Sequence, residues 1–256
     1  MSIQLDDQVV LVTGGTKGAG KGIAEAFLKA GATVIVCARR APETVISENE
    51  RQAQFFELDV RDFQAIEQLM TTIVEQFGRL DVLVNNAGGA PFADAATASP
   101  RFSEKIIALN LLAPLNLAQA ANRVMQEQAS GGIIINIASV SGQRPSPGTA
   151  AYGAAKAGLI NLTESLAVEW APRVRLNCLA AGPILTEQAQ LHFGDDAGVE
   201  AVAKTIPLQR LALPKDMGNL CVMLASPYGS YLTGACLTAH GGGERPAFLD
   251  AANAEH

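Results

Sequence analysis

The sequence predicts an α/β fold: a doubly wound parallel sheet of about seven strands with helices on both faces, as a single domain over 1–256. Three observations lead there. Short, continuous apolar runs alternate with longer segments of helical period. The first run passes straight into a glycine-rich turn and then a helix. Residues with chemical character gather where the runs end. A hydrophobic content of 48% over 256 residues is enough for one large core.

Val9-Val10-Leu11-Val12 has the unbroken hydrophobicity of a strand buried on both faces. It enters Thr13-Gly14-Gly15-Thr16-Lys17-Gly18-Ala19-Gly20, and a helix carried by Ile23, Ala24, Phe27 and Leu28 follows. Glycines let the backbone approach a pyrophosphate, and a helix N-terminus offers free N–H groups and a positive dipole end. Such a turn can also be plain turn chemistry. Its position after the first buried strand favours the ligand-binding reading. Thr33–Ala38 reads as the second strand, followed by Arg39-Arg40-Ala41-Pro42 and a short polar helix. Gln54–Leu58 is the third strand, ending at Asp59-Val60, and Phe63, Ile66, Leu69, Met70, Ile73 and Phe77 mark an amphipathic helix.

Leu80–Val84, the fourth strand, leads into Asn85-Asn86-Ala87-Gly88. A long helix is expected from about Pro100 to Gln128, broken or kinked at Pro114. The fifth strand, Gly132–Ala138, has Ser139 at its carboxyl end, and a loop from Ser141 to Thr149 precedes the helix carrying Tyr152 and Lys156. The sixth strand, Val174–Leu179, ends in Ala180-Ala181-Gly182-Pro183. A polar insertion at 186–205 is the expected substrate lid; a helix near Pro214–Ala225 and a strand at Ala235–Thr238 complete the chain.

Composition narrows the function. A net charge of -6 argues against a nucleic-acid surface. No apolar run approaches the ~20 residues of a membrane span, and Met1-Ser2-Ile3-Gln4 lacks a signal segment, so a soluble, cytoplasmic protein is expected. Cys37, Cys178, Cys221 and Cys236 are scattered and read as small core residues in a reducing compartment. His192, His240 and His256 are isolated, and no metal site is expected.

Open parallel sheets bind ligands outside the carboxyl ends of their strands. The glycine turn, Asp59, Asn85 to Gly88, Ser139 and Gly182 all fall there. On a helix, Tyr152 and Lys156 are one turn apart with adjacent side chains. An ammonium beside a phenol favours the phenolate; lowering a pKa of ~10 by about 2–3 units takes roughly 3–4 kcal/mol. A Tyr and a Lys four apart also occur on ordinary helices, so the pair gains meaning only from its company.

In that company the chain resembles the short-chain dehydrogenase/reductase family over nearly all its length. The carriers are Thr13-Gly14-x-x-x-Gly18-x-Gly20, Asn85-Asn86-Ala87-Gly88, and Ser139 with Tyr152-x-x-x-Lys156. The resemblance implies a Rossmann-type fold and hydride transfer between a nicotinamide and a carbonyl or alcohol. It makes Tyr152 the general acid/base, Ser139 its partner at the substrate oxygen, and Lys156 the group that holds the nicotinamide ribose and depresses the Tyr152 pKa. Asn110 would hold a water linking Lys156 to solvent. Cofactor contacts would come from Gly14, Thr16, Lys17, Gly18, Ala19 and Gly20, from Asp59 and Val60 at the adenine, and from Asn86, Ala87, Gly88, Gly182 and Thr186. The family's Pro-Gly after the sixth strand is here Ala181-Gly182-Pro183, which loosens the placement of Thr186. His240-Gly241-Gly242 replaces the Asp-Gly-Gly often found there, and His240 reads as an interface or surface residue.

NADP(H) is the expected cofactor. An NAD site places an acid at the end of the second strand, whereas this chain has Ala38, Arg39 and Arg40, with Lys17 as a further cation. A small-molecule carbonyl or alcohol is the expected partner, and the resemblance implies a homotetramer. Two alternatives remain: a 3-oxoacyl-thioester reductase, and a non-catalytic NADP(H)-binding sensor or scaffold on the same fold.

Overall fold

The computed structural model describes residues 3–251; Met1, Ser2 and His256 lie outside them. Seven strands form one parallel sheet: β1 (Val9–Thr13), β2 (Thr33–Ala38), β3 (Gln54–Glu57), β4 (Val82–Asn85), β5 (Gly132–Ser139), β6 (Val174–Ala181) and β7 (Cys236–Ala239). Their spatial order is β3-β2-β1-β4-β5-β6-β7, so the chain winds outward from β1 in both directions. The helices are α1 (Gly18–Lys29), α2 (Phe63–Phe77), α3 (Pro100–Ile107), α4 (Ala113–Glu127), α5 (Ala150–Trp170), α6 (Ala189–Phe193), α7 (Asp196–Thr205), α8 (Pro214–Ala225) and α9 (Ala247–Ala251).

The alternation of side chains along β1 explains the two layers. Val10 and Val12 face Ile23, Phe27 and Met217 of α1 and α8. Val9 and Leu11 face the other way, into a core with Ile66 and Ile73 of α2, Leu117 and Met125 of α4, and Leu166 of α5. Both faces are therefore apolar, and each fully buried Leu, Ile or Phe contributes about 1.5–3 kcal/mol of transfer free energy.

Two departures from sequence expectation have physical causes. No helix follows Pro42: Ser47–Glu48 and Arg51–Gln52 pair as a two-residue hairpin, with Asn49 and Glu50 in the left-handed region (φ 48° and 63°) and Ile46 buried beneath. A single buried apolar side chain anchors this segment better than one turn of polar helix would. The long helix breaks as Pro114 requires, but the break is a π turn, Ala108–Leu112, between α3 and α4. Proline has no N–H to give the carbonyl four residues back, that of Asn110, and its ring crowds it. The wider turn relieves that conflict, and Pro114 sits comfortably in the first turn of α4.

Candidate active site

The carboxyl ends of β1, β4, β5 and β6 meet on one side of the sheet. There the glycine turn is held by Asn86 and Thr13. The Asn86 amide donates to the Thr13 carbonyl at 2.9 Å and the Gly14 carbonyl at 3.3 Å. The Thr13 hydroxyl in turn accepts the backbone N–H groups of Asn86 and Ala87, both at 3.0 Å. Asn86 thus shapes the cradle with its side chain, and Thr13 at the end of β1 receives it, roles that the motifs alone do not reveal. Gly20 is obligatory here because a Cβ would meet the Gly14 carbonyl oxygen at 2.2 Å. No side chain caps the N-terminus of α1, so its first N–H groups face outward. Thr186 packs beside Gly18, bringing the two ends of the expected cofactor path together.

Asp59 receives the Arg61 guanidinium (Nε at 2.9 Å), which drives its pKa down to about 2 with help from the charge of Arg39. Nothing in the sequence singles out Arg61, because a surface arginine carries no motif. The Val60 side chain lies in the core, leaving its backbone to line the site. Lys17, Arg39 and Arg40 are exposed, and none of them forms an ion pair among the described residues. Thr16, Ala19 and Ala87 lie along the same turn and strand ends, each partly exposed.

At the other end, Ser139 closes β5 and Tyr152 and Lys156 lie on α5. The Ser139 side chain favours ionisation of the Tyr152 phenol, and the Lys156 ammonium is 5.6 Å from the tyrosine ring centre. Lys156 is almost fully buried and donates to the Ile137 carbonyl at 2.7 Å. Burial lowers its pKa to about 8. The balance at Tyr152 corrects the expectation of a phenol depressed by lysine. Burial raises its pKa, and the favourable contact opposing this is Ser139, because Lys156 is turned to Ile137.

Asn110 is fully buried in the π turn. Its amide donates to the Ile106 and Gly89 carbonyls at 2.9 and 3.0 Å and accepts the Gly89 N–H at 2.8 Å. It pins the segment after Gly88. At Gly88 a Cβ would lie 2.7 Å from Asn110 Oδ1 and 3.4 Å from Lys156 Nζ, so the three predicted residues converge on one point. Behind them, the Asn85 amide donates to Asn136 at 2.9 Å and Asn136 donates to Thr163 at 2.9 Å, tying β4, β5 and α5 into one frame.

Cavities flank the Ser139–Tyr152 pair. One, about 90 Å³, is lined by Phe102, Ile106, Gly148 and Tyr152. The other, about 310 Å³, is lined by Val140, Gln143, Pro183, Ile206 and His240. His240, partly exposed, lines this second cavity and packs under Gly182.

Fold and site together define a nucleotide-dependent oxidoreductase. Residues 14–244 match the family described as enoyl-(acyl carrier protein) reductase. The chain is 37% identical over 244 residues to an uncharacterized oxidoreductase of Mycobacterium tuberculosis, covering 93% of each protein. It is 32% identical over 250 residues to the 3alpha-hydroxysteroid dehydrogenase of Mediterraneibacter gnavus, covering 94% of this chain and 98% of that protein. The solved structure of Pseudomonas aeruginosa RhlG in an NADP active-site complex superposes with a TM-score of 0.85 at 30% identity, over 94% of this chain and 98% of that one. The chain belongs to the short-chain dehydrogenase/reductase family. No helix among the described residues is long and apolar enough to cross a membrane.

Proposed function

We propose that the protein is an NADP(H)-dependent oxidoreductase that interconverts a small-molecule carbonyl and its alcohol, with Tyr152 as general acid/base. The observation that carries this reading is the buried Lys156 ammonium 5.6 Å from the Tyr152 ring centre, one helical turn along α5, with Ser139 at the end of β5 acting on the same phenol. The residues fit a dinucleotide: a glycine cradle that a Cβ would fill, an uncapped α1 N-terminus, and unpaired Lys17 and Arg39 at the rim suited to a 2′-phosphate. When bound, the nicotinamide supplies or accepts the hydride. Tyr152 gives a proton to the substrate oxygen in reduction and takes it back in oxidation. Ser139 steadies that oxygen, and the charge of Lys156 favours the phenolate once the ammonium turns from Ile137 toward the phenol. Asn110 acts through Gly89, fixing the chain segment that passes beside Lys156. The test is oxidation of NADPH by a panel of ketones, aldehydes and oxoacyl thioesters; absence of turnover across the panel in both directions would favour a cofactor-binding sensor.

The same reading includes a cytoplasmic homotetramer. It is supported by a stripe of small and apolar residues left exposed on α5, Ala154, Ala157 and Val168, with Leu112 exposed on the neighbouring π turn. Sedimentation at micromolar concentration should give a species of four chains, and a monomer alone would remove this part of the proposal.

A further inference from the structure

Cys178 and Cys236 are 58 residues apart in sequence and stand opposite each other in the sheet, paired in register on β6 and β7. In-register residues of neighbouring strands lie about 4.8 Å apart with side chains on the same face, inside the range of about 4.4–6.8 Å between Cα atoms that a disulfide spans. Each thiol acts on the ionisation of the other, as neighbours on one face of the sheet must. Gln143, on the loop that begins at Ser139, donates to the same sulfur at 3.6 Å and to Thr238 at 3.1 Å. Cys178 is buried, whereas Cys236 is partly exposed on the edge strand. An oxidant can therefore reach the pair only from the Cys236 side.

From this geometry we propose that Cys178 and Cys236 form a reversible dithiol–disulfide site oxidised by hydroperoxides. The Cys236 thiolate attacks one peroxide oxygen; the O–O bond breaks, an S–O bond forms, and the leaving hydroxide takes a proton to become water. The Cys178 sulfur then attacks the Cys236 sulfur, breaking the S–O bond, while the Cys178 proton leaves with the departing hydroxide as a second water. Two thiols and one hydrogen peroxide thus give one disulfide and two waters, each sulfur losing one electron and the peroxide gaining two. The chemistry of the groups agrees with this order. The neighbouring Cys178 thiol holds the Cys236 pKa down, whereas the interaction with Cys236 and then burial push Cys178 up. The two remaining cysteines are poor competitors: Cys37 is buried with a pKa pushed up to about 12, and Cys221 is fully buried.

The test uses the reduced full-length protein, treated with hydrogen peroxide, quenched with catalase and denatured before thiol titration. Four thiols should fall to two, peptide mapping should join the Cys178 peptide to the Cys236 peptide within one chain, and a dithiol reductant should restore all four. In Cys178→Ser, Cys236 should instead be trapped as a sulfenic acid by dimedone; in Cys236→Ser, the three remaining thiols should survive. Retention of four thiols in the wild type would overturn the proposal, as would oxidation of Cys236 without a link to Cys178 or with a link to a second copy. None of these readouts depends on substrate turnover, so they stand apart from the assignment of the reaction.

Discussion

The two ends of the site are built differently. Around Tyr152 the buried polar side chains are held by the fold: Lys156 by Ile137, Asn110 by Gly89 and Ile106, Asn136 by Thr163. At the glycine-turn rim, Lys17, Arg39 and Arg40 stand exposed without an ion pair among the described residues, while Asp59 is tied down by Arg61. The chemical end is fixed by packing and short, dry hydrogen bonds, so its geometry cannot drift without breaking the fold. The rim offers charge to solvent, where salt screens it and one substitution changes its sign. On the function proposed above, reaction type would belong to the first region and cofactor choice to the second.

The sharpest way to break that division is Tyr152→Phe. The ring keeps its packing and loses the only proton it can transfer. Turnover should fall by ~10²-fold or more while NADPH still binds with near-normal affinity. A stopped assay for kcat beside a fluorescence titration of NADPH separates the two; near-normal turnover would remove Tyr152 from its role.

The next effect lies at the rim. Wild type should favour NADPH over NADH by ~10²-fold in kcat/KM, about 2.7 kcal/mol. Ala38→Asp adds a carboxylate that accepts the ribose hydroxyls of NAD and repels a 2′-phosphate, and Arg39→Ser removes an attractive charge. The double variant should lose most of the preference, and the wild-type preference should itself shrink with rising salt. A wild type that prefers NADH at one fixed salt concentration would overturn the cofactor assignment and leave Tyr152 untouched.

A smaller effect probes the frame behind the catalytic residues. Asn136→Ala strips Asn85 of one of its two acceptors, leaving the Pro114 carbonyl, and strips Thr163 of its donor in a buried interior. The expected cost is about 1–3 kcal/mol in urea unfolding. A loss near zero would mean that the amide chain between β4, β5 and α5 does not hold the site.

How much of this was legible in the sequence depends on the kind of contact involved. The alternation of seven strands with helices and the gathering of Gly88 and Lys156 at the strand ends follow from apolar runs and local motifs. Pro114 announced a break, and its consequence, a π turn that carries Asn110, followed from the missing N–H. The segment after Pro42 was misjudged because a lone buried Ile46 outweighs polar helix propensity, and no window of sequence shows which side chain reaches the core. Arg61, Asn136 and the Cys178–Cys236 pair were invisible for another reason. Their partners are set by register across strands or by surface geometry, neither of which leaves a periodic trace.

The smallest expected effect, per unit of pH, reports on Lys156 directly. Its folded pKa is about 8, below the roughly 10.5 of an exposed lysine, because burial penalises the ammonium. Between those values the unfolded chain holds the proton and the folded chain has released it. Stability contributed by this group therefore rises with pH across that window and is flat below it. The slope is about 1.4 kcal/mol per pH unit at most, and about 3 kcal/mol in total. Lys156→Met keeps the length of the side chain and removes the titration. At pH 7 the methionine variant should be the more stable protein, and its advantage should shrink steadily from pH 8 to 10. Urea unfolding of both proteins at five pH values measures the difference, in which the titrations common to both cancel. A gap that does not change with pH would mean that Lys156 keeps an ordinary lysine pKa in the folded state. The ammonium would then be stabilised where it lies, and the buried end of the site would be less costly to charge than its packing implies.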